Sequence, residues 1–384
     1  MTVSREPAIS SPQAADVSRP ETPSPAHGSP PSAPDLKGMT LGETEQWCGS
    51  LGVPPYRARQ IRQWLFKQLV ASFHEMENLP KGLRKDLSLS GPVDCLERVT
   101  TQISADGTEK TLFRLNDGHH IESVLIPERN HKTLCISSQA GCAMGCRFCV
   151  TGRGGLRRDL RAGEIVDQVI QVRRSMAEPD RLLNIVFMGM GEPLANVDEV
   201  LRAIRVLVAD DGLNFSHRRI TLSTSGLVPV MKRLGRETTV NLAVSLNAAD
   251  DETRSSLMPV NRRYPLNTLI TACREFPLPN RRMITFEYIL IRDVNDRNRD
   301  ARNLAELLRG IRAKINLIPL NPDSGMDMAP STPDRIQAFQ DVLIQHHYTA
   351  IIRKSKGQDI SAACGQLSGE ADRRPPSLSP GTVV

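Results

Sequence analysis

The sequence predicts an α/β protein: a partial (β/α)6 barrel preceded by a small helical domain and a β-hairpin connector. Three observations carry that expectation. From about residue 128, short apolar runs alternate with amphipathic helical stretches, the pattern of parallel βαβ units. Just before it, two strand-like runs flank Asn116-Asp117-Gly118, a strong hairpin turn sequence. Earlier still, between Thr40 and Leu89, apolar residues recur at helical spacing.

Taken in order, residues 1–37 are rich in Pro, Ser and Ala, as in Pro23-Ser24-Pro25, and are expected to be a disordered tail. Residues 38–94 read as the helical domain, with Trp47, Leu51, Ile61, Leu65, Phe66 and Leu69 on its apolar side. Pro54-Pro55 divides it, and its basic residues suit RNA binding, although plain packing explains it nearly as well. Residues 95–127 form the hairpin connector, with Glu122 inside its second strand. The barrel spans 128–362, with strands expected at 133–137, 184–188, 219–223, 241–245, 283–291 and 315–319. Helices are expected at 162–176, 197–208, 266–276 and 301–308. Residues 363–384 carry Cys364 and then a second low-complexity tail from about Gly369.

Composition narrows the class. No stretch of the 384 residues approaches a membrane span, and the N-terminus lacks a secretory core, so no membrane role is expected. The chain has eight cysteines, three of them in one short loop, which suits ligands and catalytic thiols in a reducing cytoplasm better than a disulfide framework. The net charge is +6, and the arginines cluster, as at Arg57, Arg59 and Arg62, at Arg153, Arg157, Arg158 and Arg161, and at Arg218–Arg219. Singly these are solvated faces; together they favour a polyanion such as RNA or DNA.

The chemistry is carried by Cys142, Cys146 and Cys149, spaced C-x3-C-x2-C. A structural zinc takes four protein ligands, and a fully ligated cubane takes four cysteines. Three thiolates can hold three corners of a [4Fe–4S] cluster and leave one iron open. The arrangement resembles the signature of radical S-adenosylmethionine (SAM) enzymes, in which that iron chelates SAM. Other informative residues fall where strands are expected to end, the face that holds active sites in barrels of this kind. They include Gly191-Glu192 after the second strand, Ser223 after the third, Ser245-Leu246-Asn247 after the fourth and Asn321 after the sixth. Phe148 is placed to shield a cluster from water. Near the end of the fold, Cys364 sits between small residues in what reads as a mobile loop, or else as an inert buried thiol.

The runs Cys135-Ile-Ser-Ser-Gln-Ala-Gly-Cys142, Gly189-Met-Gly-Glu-Pro193, Thr221-Leu-Ser-Thr-Ser-Gly226, Ile315-Asn-Leu-Ile-Pro319 and Ala363-Cys-Gly-Gln-Leu367 together resemble the RlmN/Cfr family. That family consists of radical SAM enzymes that methylate an adenine carbon in RNA. The resemblance implies that Cys142, Cys146 and Cys149 hold the cluster. It implies that Gly191, Glu192, Ser223, Ser245, Leu246, Asn247 and Asn321 line the SAM site. It also implies that Cys364 is the methyl carrier, Cys135 its disulfide partner and Glu122 the base. Two SAM molecules per turnover, a flavodoxin- or ferredoxin-type electron donor and a monomeric chain acting on 23S rRNA, with tRNA as a second substrate, are further implications. The family includes C2- and C8-directed members, and the C2 group is taken here. Two other readings remain: a radical SAM enzyme for sulfur insertion, which would not need the Cys135–Cys364 pair, and a zinc-containing RNA-binding module, which would need a fourth ligand beside the loop.

Overall fold

The computed structural model describes residues 34–323 and 325–369. The two expected tails lie outside the described residues before residue 34 and after residue 369. Residues 34–37 depart from the tail expectation. Leu36–Gly38 form a 3-10 turn, and Lys37 is fully buried. Its Nζ pairs with Asp94 at 2.5 Å and with Asp167, while Asp35 accepts a hydrogen bond from Gly163 N at 3.0 Å. Composition misses this anchor because it is made by single charged residues, not by an apolar run.

The helical region begins at Leu41–Ser50, where Thr40 and Glu43 form a reciprocal capping box. Tyr56–Phe66 follows Pro54-Pro55, and Lys81–Leu89 comes last. Ile61, Leu65 and Phe66 join the same apolar core as the barrel. Ion pairs add to the junction: Arg62 Nε reaches Asp211 at 2.7 Å, and Arg174 Nη1 reaches Asp94 at 2.8 Å. Arg62 therefore leaves the cluster of cations expected to face a polyanion. It is buried, with its guanidinium 4.7 Å from the centre of the Phe66 ring.

Among the described residues ten strands form one sheet. The first three, β1 (Leu96–Ile103), β2 (Glu109–Leu115) and β3 (His120–Pro127), are antiparallel. β3 then pairs antiparallel with β4 (Lys132–Cys135), which puts Val124 opposite Cys135. The hairpin is thus an extension of the barrel sheet. The turn at Asp106-Gly107 is the sequence signal for its extra strand, β1.

A small ribbon, β5 (Gln139–Gly141) with β6 (Leu156–Asp159), precedes the remaining parallel strands. These are β7 (Leu182–Phe187), β8 (Ile220–Thr224), β9 (Asn241–Ser245), β10 (Ile284–Leu290), β11 (Ala313–Pro319) and β12 (Thr349–Ile352). They lie side by side in chain order, with β4 beside β7. The six expected strands are all present with ends shifted by up to two residues, and β12 adds a short parallel edge. The strands alternate. Ile220, Leu222, Ile315 and Leu317 are buried in the core shared with the helices, whereas Thr221, Ser223, Lys314 and Asn316 are only partly covered.

Breaking the buried Lys37 pair leaves the Asp167 carboxylate without its cation. Lys37→Ala should therefore cost about 3–5 kcal/mol, read as a lower urea midpoint; an unchanged midpoint would contradict the anchoring role.

Candidate active site

The site starts where β4 ends. After Cys135 the chain is fixed by Ser137, whose Oγ donates to Glu122 O at 2.7 Å, and by Ser137 N, which donates to Gln168 Oε1 at 2.8 Å. Gly141 has φ 79°, and a Cβ there would fall 2.1 Å from Gly155 O, the same oxygen that accepts Cys142 N at 3.0 Å. The glycine-rich run after Cys149 thus folds back to hold the start of the cysteine loop. Cys146 packs with Phe148, Leu257, Met258, Ile291 and Leu320 in an apolar collar.

Burial pushes the Cys142 thiol up to about 12 and raises Cys146 and Cys149 as well. Such thiols ionise only with a strong cation beside them, and an iron cluster supplies one. Among the described residues no three His, Cys, Asp or Glu side chains converge as the ligands of a single ion would. A cubane cluster takes each thiol on a different iron and so does not require that convergence. The donor set, the glycine cradle and the apolar collar fit a three-cysteine [4Fe–4S] site and disfavour zinc.

Gly189, Gly191, Glu192, Ser223, Ser245 and Asn247 line one chamber together with the three loop cysteines. Gly191 has φ 102°, and a Cβ there would lie 2.6 Å from Gln139 Cβ. Glu192 is buried; its carboxylate accepts Ser225 N at 2.7 Å and Leu194 N at 3.1 Å, and burial raises its pKa. An ammonium beside it would offset that cost. Asn247 ties two strand ends together by accepting Ile289 N at 2.8 Å.

Two expected SAM residues are placed differently. Leu246 is fully buried in the apolar core, and only its backbone serves the site, its N donating to Glu287 O at 2.9 Å. Asn321 lines a second chamber and donates from Nδ2 to Cys364 O at 3.1 Å.

Sequence reading passes over two residues here. Gln139 Oε1 accepts Glu192 N at 2.8 Å. Arg254, fully buried, donates to Leu246 O at 3.0 Å, Ser225 O at 2.8 Å and Asn261 Oδ1 at 2.8 Å, and so binds successive strand ends. Burial lowers its pKa to about 10. Gln139 sits inside the run before Cys142 with nothing to mark its side chain, and Arg254 belongs to no motif, so only the fold reveals them.

The second chamber, about 780 Å³, contains both Cys135 and Cys364 on its wall. Cys364 borders both chambers. It is exposed to the space between them yet deep in the fold, and burial with the nearby Glu287 carboxylate pushes its thiol up to about 11. Cys135 is raised by burial and then by Cys364. Cys364 lies on a strap, residues 353–369, which leaves β12 and crosses to the β1–β3 hairpin. The strap is held at many points. Asp359 accepts Ala105 N at 3.0 Å, Val150 N donates to Gly365 O at 2.7 Å, and Thr151 Oγ1 donates to Leu367 O at 2.6 Å. In place of a loose loop, the segment is pinned to the hairpin and to the cysteine loop.

Glu122 takes part in that pinning. It is buried on the same side of β3 as Val124, which lines the second chamber. Its carboxylate pairs with Lys110 at 3.1 Å and accepts Ser368 N at 2.7 Å and Gly369 N at 3.0 Å. To act as a base it must first release the strap.

The chain matches the family model described as the radical SAM superfamily over residues 136–307. Residues 34–90 match the ribosomal RNA large subunit methyltransferase N-terminal domain. It is 54% identical over 343 residues to the dual-specificity RNA methyltransferase RlmN of Geobacter sulfurreducens, covering 89% of this chain and 94% of the relative. The chain belongs to the RlmN family. The RlmN of Syntrophobacter fumaroxidans is 52% identical over 335 residues, with 87% and 98% covered. A crystal structure of a radical SAM methyltransferase from Sphaerobacter thermophilus superposes with a TM-score of 0.85 at 49% identity, covering 87% of this chain and 99% of that one. RlmN membership makes this chain an enzyme and implies a [4Fe–4S] cluster and SAM. Among the described residues no helix is long and apolar enough to cross a membrane.

Asn321→Ala removes a tether on the Cys364 carbonyl. Misplacing the sulfur should slow methyl loading of Cys364 by about 10–100-fold, read by intact-protein mass, with iron content unchanged; normal loading would show that Asn321 does not position Cys364.

Proposed function

We propose that the chain is a radical SAM methyltransferase that methylates carbon 2 of an adenine in 23S rRNA and of adenine 37 in tRNAs. The observation that carries this is the position of Cys364, which borders the chamber of the loop cysteines and, on its other side, the chamber of Cys135. The relatives' description as dual-specificity RNA methyltransferases supports RNA as the substrate and two specificities, and their name RlmN supports the member of the family taken above as C2-directed.

In this reading Cys142, Cys146 and Cys149 hold the cluster, and Gly191, Glu192, Ser223, Ser245 and Asn247 hold SAM. The cluster, when bound, supplies the electron that cleaves SAM to a 5′-deoxyadenosyl radical. The protein's own groups do the rest. The Cys364 thiolate attacks the methyl carbon of a first SAM, expels S-adenosylhomocysteine and carries the methyl group as a thioether. Once that methyl group has lost a hydrogen atom, its carbon bonds to the adenine and ties the RNA to Cys364. Glu122, freed from Ser368 and Gly369, accepts the proton on the attacked ring carbon, and the adduct's unpaired electron passes back to the electron-transfer partner, restoring the aromatic ring. Cys135 then attacks the Cys364 sulfur, the sulfur–methylene bond breaks with its electron pair on carbon, that carbon takes up a proton to become the methyl group, and the RNA leaves behind a Cys135–Cys364 disulfide. Two SAM molecules are used per turnover. A flavodoxin- or ferredoxin-type donor supplies electrons to a monomeric enzyme, and the reducing cytoplasm restores its thiols.

Cys135→Ala should leave RNA covalently attached to Cys364, visible as a protein–RNA band; free RNA with normal turnover would refute the thiol roles. Anaerobic reconstitution should give brown protein with about four irons per chain, whereas colourless protein with a single zinc would sink the cluster assignment. Mass mapping of the modified nucleoside should find 2-methyladenosine; 8-methyladenosine would favour the other regiochemistry.

A further inference from the structure

Four cations are buried among the described residues: Lys37, Arg62, Lys110 and Arg254. Three of them have a carboxylate at ion-pair distance. Lys37 has Asp94 and Asp167, Arg62 has Asp211, and Lys110 has Glu122. Arg254 is the exception. Its donors meet the backbone carbonyls of Ser225, Ser245 and Leu246 and the amide oxygen of Asn261, all of them neutral. Asp251 lies one turn earlier on the same helix, but its Oδ1 accepts Asn261 Nδ2 and Leu266 N, each at 2.8 Å. A buried charge is costly unless an opposite charge offsets it, so the fold calls for an anion beside this guanidinium.

The three-cysteine loop supplies one. Arg254 belongs to the helix Asp251–Leu257, whose C-terminal end packs on that loop. Leu257 and Met258 share the apolar collar with Cys146, and Leu257 O accepts Arg147 N at 3.0 Å. Met258 N donates back to Arg254 O at 2.7 Å. Of the groups that act on Arg254 through space, Cys146 acts most strongly, ahead of Asp251 and Cys273. Ser225, which Arg254 holds by its carbonyl, donates its own N to Glu192 at 2.7 Å. Arg254 itself is not part of the chamber wall, so its charge reaches the site across that wall and not by contact with a ligand.

We propose that Arg254 is the counter-cation of the iron–sulfur cluster, a positioning residue whose fixed charge behind Cys146 raises the cluster's reduction potential. This rests on the cluster assignment under the proposed function and adds what sets the ease of its reduction. A cluster held by three thiolates is anionic, and one further electron makes it more so. A fixed cation in a low-dielectric surrounding therefore stabilises the reduced form over the oxidised one. Net charge and hydrogen bonding around the sulfurs are the levers that tune such potentials. The electron comes from the flavodoxin- or ferredoxin-type donor, which is oxidised as the cluster is reduced, and no bond is made or broken in that step. Arginine suits the task because its charge persists on burial: a pKa of about 10 leaves Arg254 protonated near neutral pH. Its bonds to three strand-end carbonyls keep that charge in one place.

The test is a potentiometric titration of the anaerobically reconstituted full chain, with the reduced cluster counted by its electron paramagnetic resonance signal. Arg254→Gln and Arg254→Met should each move the midpoint to lower potential by about 59 mV or more, a tenfold loss in the ratio of reduced to oxidised cluster for a one-electron couple. Arg254→Met fills the space with no polar group to bury, which keeps the test open should the glutamine variant fail to fold. Arg254→Lys keeps the charge and gives up the fixed fork of donors, and its midpoint should stay close to that of the wild type. Iron content and melting temperature establish that each variant is folded and loaded. Neutral variants with the wild-type midpoint would overturn the counter-cation role. So would a lysine variant that shifts as far as the neutral ones, because the clamp on the strand ends would then set the potential. Neutral variants that take up no iron, beside a lysine variant that does, would support the role; loss of iron from all three would overturn it and leave Arg254 as a clamp alone. A wild-type chain that takes up no iron would sink the cluster assignment and this inference with it.

Discussion

The chain leaving β12 has to reach the antiparallel hairpin on the far edge of the sheet, and the hydrogen bonds that pin it along the way fix the position of Cys364. Asp359 and Glu122 hold the strap to the hairpin, Asn321 holds the Cys364 carbonyl, and Val150 and Thr151 hold the residues that follow. Because Val150 directly follows Cys149, Cys364 and the three-cysteine loop share one scaffold. The sheet order makes this possible. Without the β1–β3 extension the strap would lose the bonds it makes to Ala105 and Glu122.

The charge distribution follows from the same enclosure. Three loop thiols and the Glu192 carboxylate are all driven toward their neutral forms by burial. They would be stabilised as anions only beside cations, which in the proposed reading iron and the SAM ammonium would supply. Arg254 is the converse, a buried cation whose proton is weakened by burial and which is kept by backbone carbonyls at the strand ends. The chamber of the loop cysteines thus suits charged ligands. The second chamber has a mixed wall, with Asn184, Asn241 and Asn316 beside Glu287, Lys314 and Arg353.

Much of this is legible in the sequence, and the reasons differ by residue. Cys142, Cys146, Cys149, Gly191 and Glu192 lie in short contiguous motifs, and the strand–helix alternation places them at one end of the barrel. The polar inner wall is also written there, as the period-two alternation of β8 and β11, but in a parallel strand it is easily read as a weakened apolar run. Lys37, Arg62 and Arg254 are not legible, because a lone cation in sequence looks solvated whether or not the fold buries it. The strap reads as loose for a related reason. Small residues such as Ala362, Ala363 and Gly365 suggest mobility, while its partners Glu122, Thr151 and Asn321 lie more than 40 residues away.

The most direct test of Cys364 as the carrier between two chambers is isotopic. Cys364 would be loaded with a trideuterated methyl group, and one turnover run on RNA with unlabelled SAM. Two deuterium atoms in the new RNA methyl group and one in 5′-deoxyadenosine are expected. A product methyl group free of deuterium would show that the carbon does not pass through Cys364, and one that keeps all three would show that it passes without losing a hydrogen atom.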